Sequence, residues 1–362
     1  MNLKEKVRNL PLTPGVYLMK DSHDNIIYVG KAKRLKKRVQ SYFYNSKAHP
    51  QKIKKLVSNI SDFEYILTDT EFEAFMLECK LIKDLKPHFN RKMKSPQAYT
   101  YIMIKLEEGM LTLDIANYRA ENDGNLYFGP YINKHTIEKA INGIKEAFKI
   151  NCSNPFMKNG PCLNYSLGMC IGMCLGGPAL EQYNRIMDKV IALLKGTDLS
   201  ILEELNQKML TASDKFDFEA AVKYRNILEA INAIIYKEHI IEFTEENKNI
   251  VVVEAIADDV FKLFLIKGNK LLYSEILNNQ DIKQELGIIN SNIITYLKNN
   301  SLGSSLVLSK DKVDEAQIIY SYLNGGNCSY RIIPDDWLEA KNDSLMGKGL
   351  EELFNQEKAL EV

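Results

Sequence analysis

Hydrophobic and polar positions repeat with two different periods in the first hundred residues. Where β-branched and aromatic residues recur every second position we predict strands, and where apolar residues recur every third or fourth position we predict helices. In chain order the predicted elements are a β-hairpin at 11–30, helices at 32–43 and 51–60, a strand at 63–68 and a helix at 71–85. The pattern therefore predicts an α/β (α+β) fold in which residues 1–97 form a β-β-α-β-α domain, with a small mixed sheet flanked by helices.

The rest of the chain predicts four further segments of different character. They are a connecting β/α segment at 98–150, a loop rich in glycine, asparagine and cysteine at 151–178, a helical region at 179–240 with a helical hairpin over about 205–240, and a C-terminal α/β domain at 245–362 that begins with a strand meander. The loop has few means of ordering itself, so we expect cross-linking to hold it together.

The amino-acid composition indicates the class of protein and the cellular compartment in which we expect it. With 45% hydrophobic and 26% charged residues, the 362-residue chain resembles a globular protein of two or three domains. Its start carries no apolar signal segment and no run of eighteen apolar residues follows, so we expect a cytoplasmic protein without a membrane segment. The net charge is zero, but residues 1–100 hold 20 Lys and Arg against 10 Asp and Glu. This asymmetry predicts that the N-terminal domain meets an anion such as nucleic acid.

Four side chains of the N-terminal domain offer the chemistry of phosphodiester hydrolysis. That reaction needs an activated water, cations that neutralise charge on the phosphoryl oxygens, and stabilisation of the leaving oxygen. A carboxylate that holds a divalent ion, together with a fixed guanidinium, supplies those cations. Glu78 and Arg38 fit these two roles, and Tyr17 and Tyr28 lie on the two strands of the hairpin. Glu73, on the same predicted helix as Glu78, is the competing carboxylate.

A run of basic side chains precedes Arg38 on the first predicted helix and consists of Lys33, Arg34, Lys36 and Lys37. Such a run is ordinarily a solvated helix face. Beside a nuclease site, it binds phosphates without selecting a sequence, and the affinity falls as the salt concentration rises. We predict the second role.

The same residues resemble a known family. The stretches PGVYLMKD, IIYVGKAKRLKKRVQSYF, FEYILTDTEFEAFMLECKLIKDLKPHFN and YFGPYI are similar, across about 130 residues, to the GIY-YIG nucleases and among them to the UvrC family. The resemblance implies that Tyr28 helps to activate the water, with assistance from Lys31. It implies that Tyr17 and Tyr42 orient the water and the phosphate, and that Asn90 supports the site.

Glu78 is the metal ligand that the resemblance implies, because its spacing to Pro87 and Asn90 matches the family, and the metal would be Mg²⁺ or Mn²⁺. A phenol with a pKa of about 10 is a poor base, so adjacent cations or the metal must lower the pKa of Tyr28 for it to act as one. The chain departs from the family just after Asn90, where KMKSPQAYTYI lacks an acidic pair.

Four of the six cysteines fall within 23 residues, at Cys152, Cys162, Cys170 and Cys174. In a large cytoplasmic chain such a cluster favours a metal over disulfides. The stretch GPCLNYSLGMCIGMC resembles the cysteine segment of the UvrC family, which implies a [4Fe-4S] cluster. Structural zinc accepts the same ligands and is the alternative, and a thiol cluster without metal is a third interpretation. The two remaining cysteines are interpreted as small apolar residues.

The segment ASDKFDFEAAVKYRNILEAI resembles the UVR motif, a helical hairpin that implies binding to UvrB. The positions that match are Phe216, Phe218, Ala221 and Arg225. Core packing is the alternative for an amphipathic helix of this kind. Asn226 stands where the family commonly has Asp.

Beyond residue 245 the resemblance is fainter, and we expect a shortened, Cho-like member of the family without its RNase H-like and helix-hairpin-helix domains. The resemblance implies a nucleotide excision repair endonuclease of the SOS response that hydrolyses one phosphodiester on the 3′ side of a lesion, in damaged or distorted DNA prepared by UvrB. Two alternatives stay open. One is a structure-selective nuclease of another DNA pathway, and the other is a non-catalytic adaptor that competes with full-length UvrC.

Overall fold

The computed structural model of the chain describes residues 3–43, 49–90, 100–107, 109–120, 122–131, 133–153, 160–299, 310–338 and 343–360. The segment after Asn90, in which the sequence departs from the family, lies almost entirely outside these ranges. The chain divides into two compact units. One unit combines Met1–Pro96 with Glu242–Val362, and the other is Gln97–Ile241.

The N-terminal part of the first unit is the predicted β-β-α-β-α domain. Its antiparallel sheet has the order β2-β1-β3. The elements are α1 (Leu3–Arg8), β1 (Gly15–Lys20), β2 (Ile26–Ala32), α2 (Leu35–Phe43), α3 (Gln51–Val57), β3 (Asp62–Leu67) and α4 (Glu71–Leu85). The structure thus confirms the mixed α/β class, and it adds the short helix α1, which the hydrophobic pattern did not predict.

Helix α4 begins and ends at positions that its sequence specifies. Thr70 caps the first turn by accepting a hydrogen bond from the Glu73 N–H, and the Glu73 carboxylate accepts from the Thr70 N–H, which together form a capping box. Lys86 takes the left-handed conformation at the other end (φ 47°), and Pro87 follows. The first and last residues of α4, the helix that carries Glu78, are therefore determined by the local sequence.

The second unit contains a three-stranded antiparallel sheet of order β5-β4-β6 and a group of helices. The elements are β4 (Thr100–Glu107), β5 (Met110–Ala116), β6 (Leu126–Tyr131), α5 (Lys134–Ala147), α6 (Leu163–Ser166), α7 (Gly177–Leu194), α8 (Ser200–Asp214) and α9 (Phe218–Glu246). One hydrophobic core joins this sheet, helices α5, α7, α8 and α9, and the cysteine segment. Helix α9 continues six residues beyond residue 240, the predicted end of the helical region, and its last residues belong to the first unit.

The C-terminal part of the first unit is built on a four-stranded antiparallel sheet of order β10-β7-β8-β9. Its elements are β7 (Asn249–Ala257), β8 (Val260–Lys267), β9 (Lys270–Asn278), α10 (Asn279–Asn299), α11 (Lys310–Leu323), β10 (Ser329–Ile333) and α12 (Asp343–Leu360). Helices α10 and α12 cover one face of the sheet, whereas α11 and the N-terminal helix α4 cover the other. Among the described residues, no helix is both long and apolar enough to cross a membrane.

Candidate active site and cysteine cluster

Three tyrosines from three elements meet beside the N-terminal sheet. Tyr17 of β1, Tyr28 of β2 and Tyr42 of α2 have ring centroids 5.8–6.3 Å apart. The Tyr17 and Tyr42 hydroxyls share a hydrogen bond of 2.8 Å. Tyr17 is fully buried, whereas Tyr28 keeps part of its surface exposed. The three phenols thus form one group, in which Tyr28 is the most accessible member.

Gly30 makes this group possible. A Cβ at residue 30 would lie 2.5 Å from Cζ of Tyr17, well inside van der Waals contact. Gly30 pairs with Tyr17 across the antiparallel strands β1 and β2, so the phenol ring covers the glycine. The close approach therefore requires a residue without a side chain.

Arg38 joins the group from α2. Its guanidinium carbon lies 5.4 Å from the centre of the Tyr42 ring, one helical turn further along α2. Arg38 remains exposed, as do the neighbouring Lys33, Arg34 and Lys37, while Lys36 is half-buried. Lys33 and Arg34 directly precede α2, and Lys36 and Lys37 lie on it next to Arg38, so the basic run adjoins the cation of the tyrosine group.

Glu78 enters the site from α4. Its Oε1 accepts a hydrogen bond of 3.1 Å from the Lys31 N–H, while its other oxygen has no hydrogen-bond partner among the residues that the structure describes. Burial raises the pKa of Glu78, and the Lys31 N–H and the positive charges of Lys31 and Arg38 offset this only in part. A cation bound at Glu78 would stabilise the charged form of this carboxylate, which burial disfavours.

Lys31 contributes its backbone to Glu78 and its side chain to another partner. The ammonium donates to Glu71 at 2.6 Å and lies 4.6 Å from the centre of the Phe75 ring. The assistance that the resemblance implied for Lys31 stays a prediction. The Lys31 ammonium is held at the start of α4 by the Glu71 carboxylate, and not by one of the three phenols.

Asn90 supports the site through the backbone of β2. Its Oδ1 accepts from the Val29 N–H at 2.9 Å, and its Nδ2 donates to the Val29 carbonyl at 2.8 Å. β2 is an edge strand of the sheet, and this pair of hydrogen bonds gives partners to its backbone groups at Val29, between Tyr28 and Gly30. Asn90 is buried, so losing the pair would leave the Val29 groups without partners.

Glu73 is not free to act as the metal ligand. One of its oxygens accepts the N–H groups of Asp69 and Thr70, and the other binds the Lys262 ammonium at 3.0 Å and the Ser274 hydroxyl at 3.1 Å. The spacing Thr70-x-x-Glu73, visible in the sequence, already signals a capping box. Lys262 and Ser274 were missed because no local pattern points to a partner some 200 residues away.

Tyr17 and Tyr28 both have raised pKa values, which makes them poor acids. Burial raises the pKa of Tyr17 well above its usual value, and the neighbouring phenols Tyr42 and Tyr28 add to the effect. Burial also raises the pKa of Tyr28, with Tyr42 and Glu78 contributing, while Arg38 opposes the shift. Activation of a water by Tyr28 thus requires more positive charge than Arg38 supplies.

The cysteine segment brings three of its four sulfurs together. The Sγ atoms of Cys152, Cys162 and Cys174 lie within 4.8 Å of one another, and the first two are 3.6 Å apart. Cys170 is buried nearby in the chain and accepts a hydrogen bond from the Gly172 N–H at 3.3 Å, but its sulfur is outside that group.

Cys162 is a cysteine of this group whose pKa is lowered. Burial raises its pKa, but hydrogen bonds that include those from the Tyr165 and Ser153 N–H groups outweigh that effect and lower the pKa to about 6. Thiolates are the form in which cysteine binds metals. The two other cysteines, Cys79 and Cys328, are buried in an apolar cluster of the first unit.

The helical hairpin of α8 and α9 exposes two aromatic rings where it turns. Phe216 is 79% exposed and Phe218 is 61% exposed, and the rings contact each other edge to face. Arg225 is also exposed and lies 3.6 Å from Glu229, while Ala221 is half-buried. Contiguous exposed apolar side chains can mark an interaction surface, and partner binding at these positions stays a prediction.

Comparison with known families matches three consecutive regions of the chain. Residues 13–91 match the UvrC-like GIY-YIG domain, residues 99–193 match the middle domain of the UvrC/Cho excinuclease, and residues 200–234 match the UvrB/uvrC motif.

Individual relatives agree with these matches. The UvrABC system protein C of Alkaliphilus oremlandii is 34% identical over 333 residues, which is 90% of this chain and 54% of that protein. The corresponding protein of Clostridium tetani is 37% identical over 292 residues, or 78% of this chain and 47% of its own length. The chain thus spans about half the length of the curated relatives it matches.

Among solved structures, the GIY-YIG N-terminal endonuclease domain of UvrC from Thermotoga maritima, bound to its catalytic divalent cation magnesium, is 35% identical. The similarity covers 25% of this chain and 100% of that one, with a TM-score of 0.23. The three matched regions follow one another without overlap, and the two relatives above are 34% and 37% identical to the chain over 90% and 78% of its length. Along residues 13–91, 99–193 and 200–234 the chain therefore carries, in this order, domains of the UvrC family.

Proposed function

We propose that the protein is a metal-dependent DNA endonuclease of nucleotide excision repair that hydrolyses one phosphodiester bond on the 3′ side of a lesion. The observation that carries the proposal is the convergence of three phenols, the Arg38 guanidinium and the Glu78 carboxylate around one partly exposed position. A core packing role does not explain a half-buried carboxylate with an unused oxygen beside an exposed guanidinium.

Glu78 is the residue that would hold the metal, Mg²⁺ or Mn²⁺. A divalent ion bound there supplies a Lewis acid for the phosphoryl oxygens and a positive charge that lowers the pKa of nearby water and phenol groups. Arg38 neutralises the charge that builds on the phosphate, and it is exposed enough to reach one. Tyr17 and Tyr42, joined by their hydrogen bond, orient the Tyr28 phenol toward the attacking water.

DNA would approach along α2. Lys37 of α2 and the preceding Lys33 and Arg34 are exposed, which supports their assignment to phosphate binding. Such contacts add affinity for any sequence and make binding salt-dependent. Selectivity for damaged DNA must then come from a partner, and we propose UvrB, bound through the exposed Phe216 and Phe218 of the hairpin.

An incision assay tests this proposal. The substrate is a duplex with one lesion and a label on each end of the damaged strand, incubated with Mg²⁺ in the presence and absence of UvrB. We expect a cut on the 3′ side that needs both UvrB and metal. Glu78→Gln is expected to abolish the cut while leaving DNA binding largely intact, because the change removes the metal ligand and none of the basic residues.

The matched control is Asp84→Asn, a change from carboxylate to amide at an exposed position of the same helix, which should cut like the wild type. Cleavage of undamaged branched DNA without UvrB would instead identify a structure-selective nuclease. Binding without any cleavage, in wild type and Glu78→Gln alike, would identify a non-catalytic adaptor.

We propose in addition that the cysteine segment holds a metal, with a [4Fe-4S] cluster as the first assignment and zinc as the second. Three converging sulfurs and backbone N–H groups directed at Cys162 and Cys170 support a thiolate site. Purification without oxygen should give a coloured protein containing iron and sulfide, and Cys162→Ser should lose both, whereas Cys328→Ser should keep them. A colourless protein with bound zinc would favour the second assignment, and a metal-free protein would refute both.

A further inference from the structure

Helix α4, which carries Glu78, lies between two sheets and packs on both of them. One face of the helix packs on the N-terminal sheet through Ala74, Leu77 and Ile82. The opposite face, with Phe72, Phe75, Met76 and Cys79, packs on the C-terminal sheet β10-β7-β8-β9 and on α11. Phe72 stacks on Tyr322 of α11 with ring centroids 4.0 Å apart. The helix that carries the metal ligand is therefore part of the core of the C-terminal domain.

The start of α4 is bonded to the C-terminal sheet by a buried charge. Lys262 of β8 is only 5% exposed, and its ammonium lies 2.6 Å from Asp69 and 3.0 Å from Glu73. Ser274 of β9 donates to the same Glu73 carboxylate at 3.1 Å. Glu73 is also part of the capping box with Thr70. Lys262 and Ser274 therefore bind a side chain that caps the start of the helix.

The other end of α4 has a second connection of the same kind. Lys83 donates to Glu315 of α11 at 3.0 Å, and Asn269 donates to the other oxygen of that carboxylate at 2.9 Å. The two ionic contacts are 14 residues apart along the helix, between Asp69 and Lys83, and Glu78 lies between them. Together they fix the helix against sliding along its axis and against rotation.

Among the residues that the structure describes, Lys262 forms its ion pairs with Asp69 and Glu73 at the start of α4. Burial alone would lower its pKa, yet the hydrogen bonds to Asp69 and Glu73 outweigh burial and raise the pKa, so the ammonium stays charged at neutral pH. A buried ion pair of this kind is weak evidence for stability, because desolvation offsets most of the attraction. Geometric specificity is the better explanation, since the pair admits only one placement of the helix cap.

We infer that Lys262 is a positioning residue for the nuclease site: the C-terminal domain, through Lys262 and Ser274 on the cap of α4, sets the position of Glu78 and hence the affinity for the divalent metal. The inference rests on the proposed function for the role of Glu78. Residues of the C-terminal domain thus position the metal ligand of the N-terminal domain. Groups that orient a metal ligand typically change metal affinity or activity by about 10- to 100-fold when they are removed.

The test measures Mn²⁺ binding by the electron paramagnetic resonance signal of free Mn²⁺, together with kcat and KM for incision, on the full chain. Lys262→Met should weaken Mn²⁺ binding roughly 10-fold and lower kcat by about 10- to 100-fold, with KM for DNA unchanged. Lys262→Arg, which keeps the charge, should recover most of both. Ser274→Ala removes a single hydrogen bond from the same cap, should fold in any case, and should shift both quantities in the same direction by less.

Arg331→Met is the matched control, because Arg331 forms an ion pair of 2.7 Å with Glu352 inside the C-terminal domain and away from α4. It should bind Mn²⁺ and cut like the wild type. The inference is overturned if folded Lys262→Met and Ser274→Ala both match the wild type, or if Arg331→Met shows the same loss as Lys262→Met.

Failure of the proposed function gives a different pattern. If Glu78→Gln lowers Mn²⁺ affinity but the wild type cuts no DNA, the nuclease proposal fails, while the positioning role is still decided by the Mn²⁺ affinity of Lys262→Met. If Glu78→Gln binds Mn²⁺ like the wild type, both proposals are refuted together.

Discussion

Replacing Gly30 by alanine is the sharpest structural perturbation of the tyrosine group. The new Cβ would lie 2.5 Å from Cζ and 2.9 Å from Cε2 of the Tyr17 ring, whereas a normal carbon–carbon contact is at least about 3.5 Å. The Tyr17 ring is fully buried between β1 and α2, so it cannot swing into solvent. Either the ring or the strand must therefore move by about 1 Å.

The cost of such a shift can be estimated. Forcing an extra carbon into a packed core typically costs about 1–3 kcal/mol. If the Tyr17 hydroxyl leaves Tyr42, the loss of that hydrogen bond adds about 1 kcal/mol. For a unit of roughly 200 residues, 1 kcal/mol corresponds to about 2–4 °C in Tm, so we expect Gly30→Ala to lower Tm by several degrees.

The effect on activity should be larger than the effect on stability. A displacement of about 1 Å in groups that orient a reacting water costs roughly 100-fold in rate. Incision should therefore fall by about that factor at a temperature where circular dichroism shows the variant to be folded. DNA affinity should stay unchanged, because the exposed basic side chains Lys33, Arg34 and Lys37 are not part of the tyrosine group.

Gly287→Ala is the matched control. Gly287 lies in the exposed part of α10 with nothing within 4 Å of the new Cβ, so the same substitution should leave activity unchanged and raise stability by about 0.5–1 kcal/mol. A Gly30→Ala variant that melts and cuts like the wild type would show that the Tyr17 ring is not held as described.

Two further predictions follow from burial and charge. Because burial raises the pKa of Glu78 above its usual 4.5, the metal-free folded protein binds that proton more tightly than the unfolded chain and loses stability as the pH rises from 4.5 through the raised pKa. Glu78→Gln should remove this loss, so its metal-free Tm at neutral pH should equal or exceed that of the wild type; a clear drop in Tm would contradict the assignment. Replacing Phe216 and Phe218 together by alanine should leave Tm unchanged, since both are exposed, and should weaken UvrB binding at least 30-fold, as expected for about 2 kcal/mol at a binding hot spot. Ile288→Ala, at an exposed position of α10, is the control, and equal binding by the double variant and the wild type would refute the partner surface.

The sequence was sufficient for the parts of the site that depend on local pattern. Strand alternation placed Tyr17 and Tyr28 on one hairpin, and helical spacing placed Arg38 one turn before Tyr42. These four residues meet because a short hairpin followed directly by a helix leaves few ways to pack. The resemblance favoured Glu78 over Glu73 as the metal ligand, which stays a prediction, and in the structure Glu73 is engaged in the helix cap.

Long-range pairing was beyond the reach of the sequence. Nothing near Lys262 in the chain marks it as a partner of the cap of α4, because an isolated lysine in a strand ordinarily faces solvent. The side chain of Lys31 is another example, since its choice of Glu71 depends on how α4 packs against β2. The cysteines show the same limit, because spacing could not indicate that three sulfurs converge while that of Cys170 does not join them.

The most direct measurement of the central claim is the anomalous scattering of Mn²⁺ in crystals of the wild-type protein. A peak about 2.0–2.2 Å from the free oxygen of Glu78, with the Tyr28 hydroxyl and the Arg38 guanidinium facing it and no such peak in Glu78→Gln, is the predicted result. A protein whose Mn²⁺ binds elsewhere, with the region between Glu78 and the three phenols filled by side chains, would contradict the account.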